Sequence, residues 1–311
     1  MVYFKHKIPS SREEWKASRM NGIGGSDAAA AIGMSPWKSP YTLWCEKTGI
    51  INNDVDNEAM RLGRDLEDYV ASRFMEETGK KVHKSSFSFQ NAEYPFMLAN
   101  VDRIVVGEDA GLECKTTSAL TRTKYDKGDI PIQYYVQCMH YMAVTGKKKW
   151  YIAILVLGIG FYWFEVNWDD EEIANLIQAE GEFWRYVIEN KEPPIDGTYS
   201  TTETIKELYP ETDHSSIELA TDTSVLDRYT ELKAMIGKME NEKREIENKV
   251  KQEMGNAEYA GTYGYSIKWK NVTSNRVDSK MLKEKYPDVY NDVLKPSQSR
   301  RFEIKKEEYE Q

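Results

Sequence analysis

The sequence predicts an α/β fold, a central mixed β-sheet flanked by helices, and three observations carry that expectation. Two segments, Met97–Ser118 and Tyr151–Val166, read as hairpins. The second of them, YIAILVLGIGFYWFEV, is almost wholly apolar, the mark of a sheet core covered on both faces. Capped or amphipathic helical segments precede, separate and follow the two hairpins, so helices cover the sheet.

Taken in order, Ser11-Arg12-Glu13-Glu14 reads as a capping box opening a short helix that runs to about Met20. The loop Asn21–Asp27 then leads into an alanine-rich helix, with Ser26 at its N-cap and Gly33 as its stop. Such a helix start exposes N–H groups suited to a phosphate, and Arg19 adds a guanidinium to the same anion. Taken alone, these residues are accounted for better by simple capping and close alanine packing. Ser39-Pro40 starts the helix Tyr41–Lys47, and Trp37 and Trp44 read as core. Asn57–Gly79 is a longer amphipathic helix with Met60, Leu62, Leu66, Val70 and Phe74 on its apolar side. Gly63 permits close approach on this helix, and Glu67 follows one turn later. After the first hairpin, Ala119–Gly128 is polar and basic (Arg122, Lys124, Lys127), the character of a segment beside a phosphate chain. Pro131 opens the helix Ile132–Thr145, on which Tyr134 and Gln137 share a face. His140 on the same helix fits a structural role more readily than that of a base. Asp169 caps a helix from Glu171 to about Asn190, ended by Pro193-Pro194.

The first hairpin holds the residues with chemistry. In a hairpin closed at Gly107–Gly111, Asp102 falls within a residue or two of a position opposite Glu113 and Lys115. Side chains alternate along a strand, so Glu113 and Lys115 share one face and Cys114 points to the other. Two carboxylates and a lysine on one face are what divalent-metal phosphodiester chemistry needs. The acids are hard oxygen ligands for Mg²⁺, and the lysine stands beside the attacking water. A desolvated lysine there can have a depressed pKa. An exposed, charged hairpin edge carries the same residues without any chemistry.

Composition narrows the class. The chain of 311 residues is 40% hydrophobic and 30% charged and has no apolar run near the length of a membrane span, which points to a soluble protein. MVYFKHKIPSSREEW has no signal-peptide core. Three scattered cysteines, Cys45, Cys114 and Cys138, form no CxxC pair, which argues against a disulfide framework or a four-cysteine cluster and for a reducing cytoplasm. The net charge of −9 argues against generic nucleic-acid binding but leaves room for a nuclease that confines its cations to one channel.

Residues 1–195 read as one domain, 196–222 as a Thr/Ser/Glu-rich linker around one short helix, and 223–311 as a C-terminal extension. Within the extension, Leu226–Met254 is a long charged helix with Tyr229, Leu232, Ile236, Met239, Ile246 and Val250 spaced by threes and fours, apart from Lys243 at one seam position. That is a coiled-coil pattern, or a helix laid on a partner. A β segment, Tyr259–Trp269, and a basic end follow. Partner docking, DNA contact through Lys268, Lys270, Arg300 and Arg301, and a stabilising appendage all fit this composition.

IGGSDAAAAIGMSPWKSPYTLW, RLGRDLED, the Asp102…Glu113-x-Lys115 hairpin and IPIQYYVQCMHYMAVTG stand in one order over residues 1 to about 195. This succession resembles the YqaJ-type phage recombination nucleases, relatives of bacteriophage lambda exonuclease in the PD-(D/E)xK superfamily. The resemblance implies a restriction-endonuclease-like core and assigns roles. Asp102, Glu113 and the Cys114 main-chain carbonyl become metal ligands, Lys115 the catalytic lysine, and Glu67 the glutamate that supports the metal site indirectly. Gln137, with Tyr134 in the same Y-x-x-Q pattern, becomes part of the active-site glutamine helix. Arg19 and Ser26 become the 5′-phosphate pair. Asn100 stands where the lambda enzyme has a pocket serine; asparagine still donates a hydrogen bond there. The resemblance further implies two Mg²⁺ ions, replaceable by Mn²⁺, and 5′→3′ digestion of one strand from double-stranded DNA ends. It also implies a ring-shaped homotrimer and a phage single-strand annealing protein as partner. An end-independent endonuclease and a non-catalytic DNA-end binding module are the competing expectations.

Overall fold

The computed structural model describes residues 2–7, 11–52, 57–118, 128–296 and 299–306. The basic run from Ala119 to Lys127 singled out above lies outside these residues. The chain divides into two compact units, Met1–Leu208 and Tyr209–Gln311. The helix Tyr199–Leu208, placed in a linker by its composition, belongs to the first unit. Its buried Thr204 shares a 2.8 Å hydrogen bond with Thr42 of the helix Pro40–Lys47, and its Thr201 hydroxyl donates to Ser39 at 2.8 Å. Polar pairing, invisible to a hydrophobicity pattern, holds it there.

The first unit is built on a five-stranded mixed sheet of order β3-β6-β7-β8-β9. Its strands are Val82–Lys84, Arg103–Val105, Ala110–Thr117, Lys149–Val156 and Gly160–Asn167. The central pair β7 and β8 is parallel and the remaining pairs are antiparallel. Alternation along β8 divides the core. Tyr151 and Ala153 pack with Val70, Ala71 and Phe74 of helix α4 (Glu58–Thr78) on one face. Trp150, Ile152 and Ile154 pack with Val136, Cys138 and Met142 of helix α5 (Ile132–Thr145) on the other. Gly111 of β7 is required by this packing, since a Cβ there would lie 2.3 Å from the Trp150 ring.

A second sheet, of order β1-β4-β5-β2, was not legible in the sequence. It is made of Tyr3–Lys7, Phe87–Asn91, Met97–Ala99 and Ile23–Gly24. The stretch read as one strand from Met97 is therefore two. β5 belongs to this small sheet and β6 to the large one, so the chain changes sheets across Asn100-Val101-Asp102.

Three further expectations are corrected. Trp37 is 66% exposed rather than core, whereas Trp44 is buried as expected. On α4 only the C-terminal half is covered, through Val70, Ala71 and Phe74, while Met60 and Leu62 lie open to solvent. The alanine helix α2 (Gly25–Ala31) starts two residues earlier than its sequence suggests, with Gly24 as N-cap and Ser26 inside the first turn. A Cβ on Gly25 would lie 2.4 Å from the Tyr141 ring, so α2 begins where glycine lets it approach α5.

His140 is structural. It is fully buried, with Nδ1 2.8 Å from Glu180 Oε1 and Nε2 2.9 Å from the Leu98 carbonyl. Both ring nitrogens face acceptors, so both are satisfied only in the imidazolium. Burial opposes that charge, but Glu180 outweighs it and the Leu98 carbonyl adds to it, holding the pKa above its ordinary value. A raised folded-state pKa stabilises fully below the unfolded value of about 6.5 and loses that contribution as pH rises through the folded value. Thermal melts from mildly acidic to mildly alkaline pH are expected to show falling stability. Glu180→Gln is expected to flatten that slope; an unchanged slope would place its origin elsewhere.

The second unit holds a 32-residue helix, Thr223–Met254, capped by Asp222. Tyr229, Leu232, Ile236, Met239 and Ile246 are all exposed on it. A two-stranded hairpin, Tyr259–Thr262 with Tyr265–Lys268, and two short helices, Ser279–Lys285 and Pro287–Val293, follow. Among the described residues no helix is long and apolar enough to cross a membrane.

Candidate active site

The β6–β7 register fixes the centre of the site. Arg103 pairs with Leu112 and Ile104 with Gly111, and the same register carried one step further sets Asp102 opposite Glu113. The Cys114 N–H donates to Asp102 Oδ2 at 2.8 Å, which locks the two strands where their ladder ends. The N–H and C=O of one strand residue point to the same edge, so the Cys114 carbonyl faces the Asp102 side as well. The Cys114 side chain packs toward α4, and Glu113 and Lys115 take the opposite face, toward α5.

On that face Glu113 is nearly fully buried. Its Oε1 accepts from Lys115 Nζ at 2.7 Å and from Gln137 Nε2 at 2.7 Å. Gln137 in turn donates to the Tyr141 hydroxyl at 2.8 Å, and the Tyr141 ring occupies the space above Gly25. Glycine, tyrosine, glutamine and glutamate thus form one chain of contacts that sets the Glu113 rotamer. The other oxygen, Oε2, is buried with no hydrogen-bond partner among the described residues.

Electrostatics at the centre are those of a place short of positive charge. Burial, then the charges of Glu113 and Glu67, push the Asp102 carboxyl well above the usual carboxylate range, against Lys115 and the Cys114 N–H. Burial would lower the Lys115 ammonium, but Glu113 and Asp102 outweigh it and raise its pKa. The depressed lysine pKa expected from desolvation alone is therefore not found: the neighbouring acids win.

The donor set fits a hard divalent cation. Glu113 leaves one buried oxygen unpartnered, Asp102 is disfavoured as an anion until a cation arrives, and a main-chain carbonyl stands on the same side. Among the described residues no group of three or more His, Cys, Asp or Glu side chains is placed to hold an ion. The donors that could serve here are two acids and main chain, the set the resemblance implies. Glu67 does not reach the centre directly: Arg103 donates to Glu67 Oε1, to Asp68 and, at 2.7 Å, to the Asp102 carbonyl. Glu67 thus stands behind Asp102, through the arginine that follows it.

One cleft of about 500 Å³ joins these groups to the proposed phosphate pair. Asp102, Glu113, Lys115, Gln137 and Asn100 line it together with Arg19 and Ser26. Arg19 Nη2 donates to Ser26 Oγ at 3.2 Å and to Asp27 Oδ1 at 2.8 Å. Tyr134 does not line this cleft; its ring lies under Lys115, whose Nζ is 5.1 Å from the ring centroid. Sequence reasoning missed Asp27 and Lys47. Both are buried, Lys47 Nζ donates to Asp27 Oδ2 at 2.8 Å, and it also caps the Arg19 carbonyl at 2.7 Å. Burial would raise the Asp27 carboxyl, but Lys47 and Arg19 hold it well below the usual range. Nothing in the sequence marks the pair: Lys47 follows Glu46 at the end of its helix and reads as a surface charge until the chain is folded.

A model of the YqaJ-like viral recombinase domain family matches residues 14–148, a span that holds the candidate-site residues described in this section. The Bacillus subtilis (strain 168) protein YqaJ is 42% identical over 301 residues, which cover 95% of this chain and 94% of that one. Protein D345L of African swine fever virus (strain Badajoz 1971 Vero-adapted) is 32% identical over 60 residues, 19% of this chain and 17% of its own. Among solved structures, LHK-Exo in complex with dAMP is 21% identical and superposes with a TM-score of 0.50, covering 63% of this chain and 96% of that chain. LHK-Exo is described as an alkaline exonuclease from Laribacter hongkongensis. That likeness extends to the fold, the PD-(D/E)xK arrangement of a mixed sheet between helices, which is the fold the sequence predicts. A relative matched almost end to end, and a family model over the site-bearing segment, place this chain in the YqaJ-like viral recombinase domain family.

Proposed function

We propose that this protein is a Mg²⁺-dependent 5′→3′ exonuclease acting on linear double-stranded DNA. It releases 5′-mononucleotides and leaves 3′ single strands for single-strand-annealing recombination in a phage or prophage. The observation that carries the reading is the single cleft in which Asp102, Glu113 and Lys115 meet Arg19 and Ser26. Acids for a metal and donors for an anion within one cleft suit cleavage at a fixed distance from a strand terminus.

Asp102, Glu113 and the Cys114 carbonyl would hold Mg²⁺, two ions by family resemblance, with Mn²⁺ able to substitute. The chemistry a bound Mg²⁺ supplies is Lewis acidity toward the scissile phosphate. Lys115, kept as an ammonium by its acidic neighbours, donates a hydrogen bond to the attacking water and balances charge building on the phosphate oxygens. Gln137 fixes the Glu113 rotamer, leaving Oε2 as the oxygen that would be available to a metal. Arg19 and Ser26 receive the terminal 5′-phosphate, with Asn100 as a further donor in the same cleft. Glu67 acts through Arg103, and Tyr134 supports Lys115 from below.

A homotrimeric ring around DNA would give processivity to a chain of net charge −9, because enclosure replaces a strong electrostatic grip. An annealing protein would load on the single strand left behind, in the host cytoplasm. The deciding experiment incubates the protein with linear 5′-phosphorylated duplex, linear 5′-hydroxyl duplex and covalently closed circles, in Mg²⁺ and in EDTA. Mononucleotide release from phosphorylated linear ends in Mg²⁺ alone is expected. Digestion of closed circles would turn the reading to an endonuclease, and activity in EDTA would end the metal mechanism.

A further inference from the structure

Trp37 is left two-thirds exposed on a loop that is otherwise well fixed. Ser35 Oγ accepts from the N–H groups of Trp37 and Lys38, both at 3.3 Å, and Lys38 is ion-paired with Glu46 at 2.5 Å. The indole is therefore presented to solvent on a held loop. Its ring meets that of Tyr134 with centroids 6.4 Å apart and planes tilted by 40°. The Tyr134 ring carries Lys115 Nζ 5.1 Å from its centroid. Ammonium, phenol ring and indole ring thus form a row leading outward from the reacting centre.

We propose that Trp37, backed by Tyr134, is a stacking shelf for a nucleobase of the strand being cut, at the nucleotide flanking the scissile phosphodiester. The inference rests on the nuclease reading above and names the part of the substrate it had left without a contact. The acids, Lys115, Arg19 and Ser26 all address phosphates or metal, and nothing among them meets a base. A row that begins at the lysine beside the scissile phosphate reaches the bases on either side of that phosphate. Stacking on an indole also suits a processive enzyme, because every base has a π-face and no sequence is favoured. Trp37 stands on the loop before the helix Pro40–Lys47 and Tyr134 in the first turn of α5, two elements that share the apolar core around Trp44 and Met139. The shelf is held at the same core as the cleft.

The test uses the full chain and binding in EDTA, so that it needs no cleavage. Fluorescein-labelled 5′-phosphorylated duplexes are titrated by anisotropy, one intact and one with abasic residues at the first three 5′ nucleotides. Wild type is expected to bind the abasic duplex about 5- to 150-fold more weakly, the range of a single base–aromatic stack. Trp37→Ala is expected to bind the intact duplex as weakly as wild type binds the abasic one, and to lose nothing further on the abasic duplex. Trp37→Phe is expected to recover most of the affinity and the abasic sensitivity, a rescue that a purely structural defect would not show. A chain that binds DNA and treats Trp37→Ala as wild type overturns the shelf and leaves the nuclease reading standing. So does an alanine variant that remains fully sensitive to abasic residues, including one that has merely changed its oligomeric state. A chain that binds DNA neither in EDTA nor in Mg²⁺ overturns both.

Discussion

Replacing Lys115 with alanine is expected to remove DNA hydrolysis, a loss of ~10³-fold or more in single-turnover rate, while DNA binding in Mg²⁺ persists. The size follows from the two parts proposed for the ammonium, donor to the water and counter-charge to the phosphate, each worth on the order of 10²- to 10³-fold when removed from a preorganised site. Binding survives because Arg19 and Ser26 lie on other elements of the cleft. Lys115→Arg is not expected to rescue. The Lys115 ammonium is compact, 2.7 Å from Glu113 Oε1 and seated over the Tyr134 ring, and a planar guanidinium cannot reproduce both contacts. Product release by gel and DNA binding by anisotropy measure the two halves separately. Near-normal cleavage by the alanine variant would take Lys115 out of the chemistry.

Asp27→Ala is expected to be the most destabilising single change near the cleft, by ~3–5 kcal/mol, because it strands the buried Lys47 without its partner. Its effect on function is separable from that loss. Asp27 also anchors the Arg19 guanidinium, and Lys47 holds the Arg19 carbonyl, so the pair fixes both ends of the residue proposed to take the 5′-phosphate. Replacing both partners by apolar residues of similar volume, Asp27→Leu with Lys47→Met, is expected to recover much of the stability. It is not expected to recover discrimination between phosphorylated and hydroxyl ends, and KM for phosphorylated ends is expected to stay high. Chemical denaturation and end-specific kinetics on the same preparations decide it. Recovery of both properties would reduce the pair to a packing device.

The geometry of the candidate centre was legible because it depends on local rules. Alternation put Glu113 and Lys115 on one face of β7, and a tight turn brought Asp102 opposite them. What failed to show was set by long-range partners. The second sheet uses short strands such as Tyr3–Lys7, whose sequence YFKHK has no apolar alternation to read. Asp27 and Lys47 lie 20 residues apart and look like ordinary surface charges until α2 and the helix Pro40–Lys47 are packed together. Trp37 and Trp44 differ in exposure although their side chains are identical, because only the folded chain decides which one a neighbour covers. Lys115 shows the same limit in electrostatics: desolvation favours one direction, and the two acids reverse it.

The change of sheets at Asn100–Asp102 has a mechanical meaning. Strand β2 is hydrogen-bonded to β5, with Ile23 opposite Met97 and Gly24 opposite Leu98, and the Ile23 N–H donates to the Phe96 carbonyl at 2.6 Å. The start of α2, with Ser26, is therefore bolted to a strand that runs directly into Asp102. Under the proposed function, that short backbone path, one strand pairing and a few residues of chain, is a ruler whose two marks are the terminal phosphate and the bond to be cut. Its length is set by backbone rather than by flexible side chains. One insertion between Ala99 and Asp102 would shift the marks against each other, so that even a well-folded product would be expected to measure the wrong step.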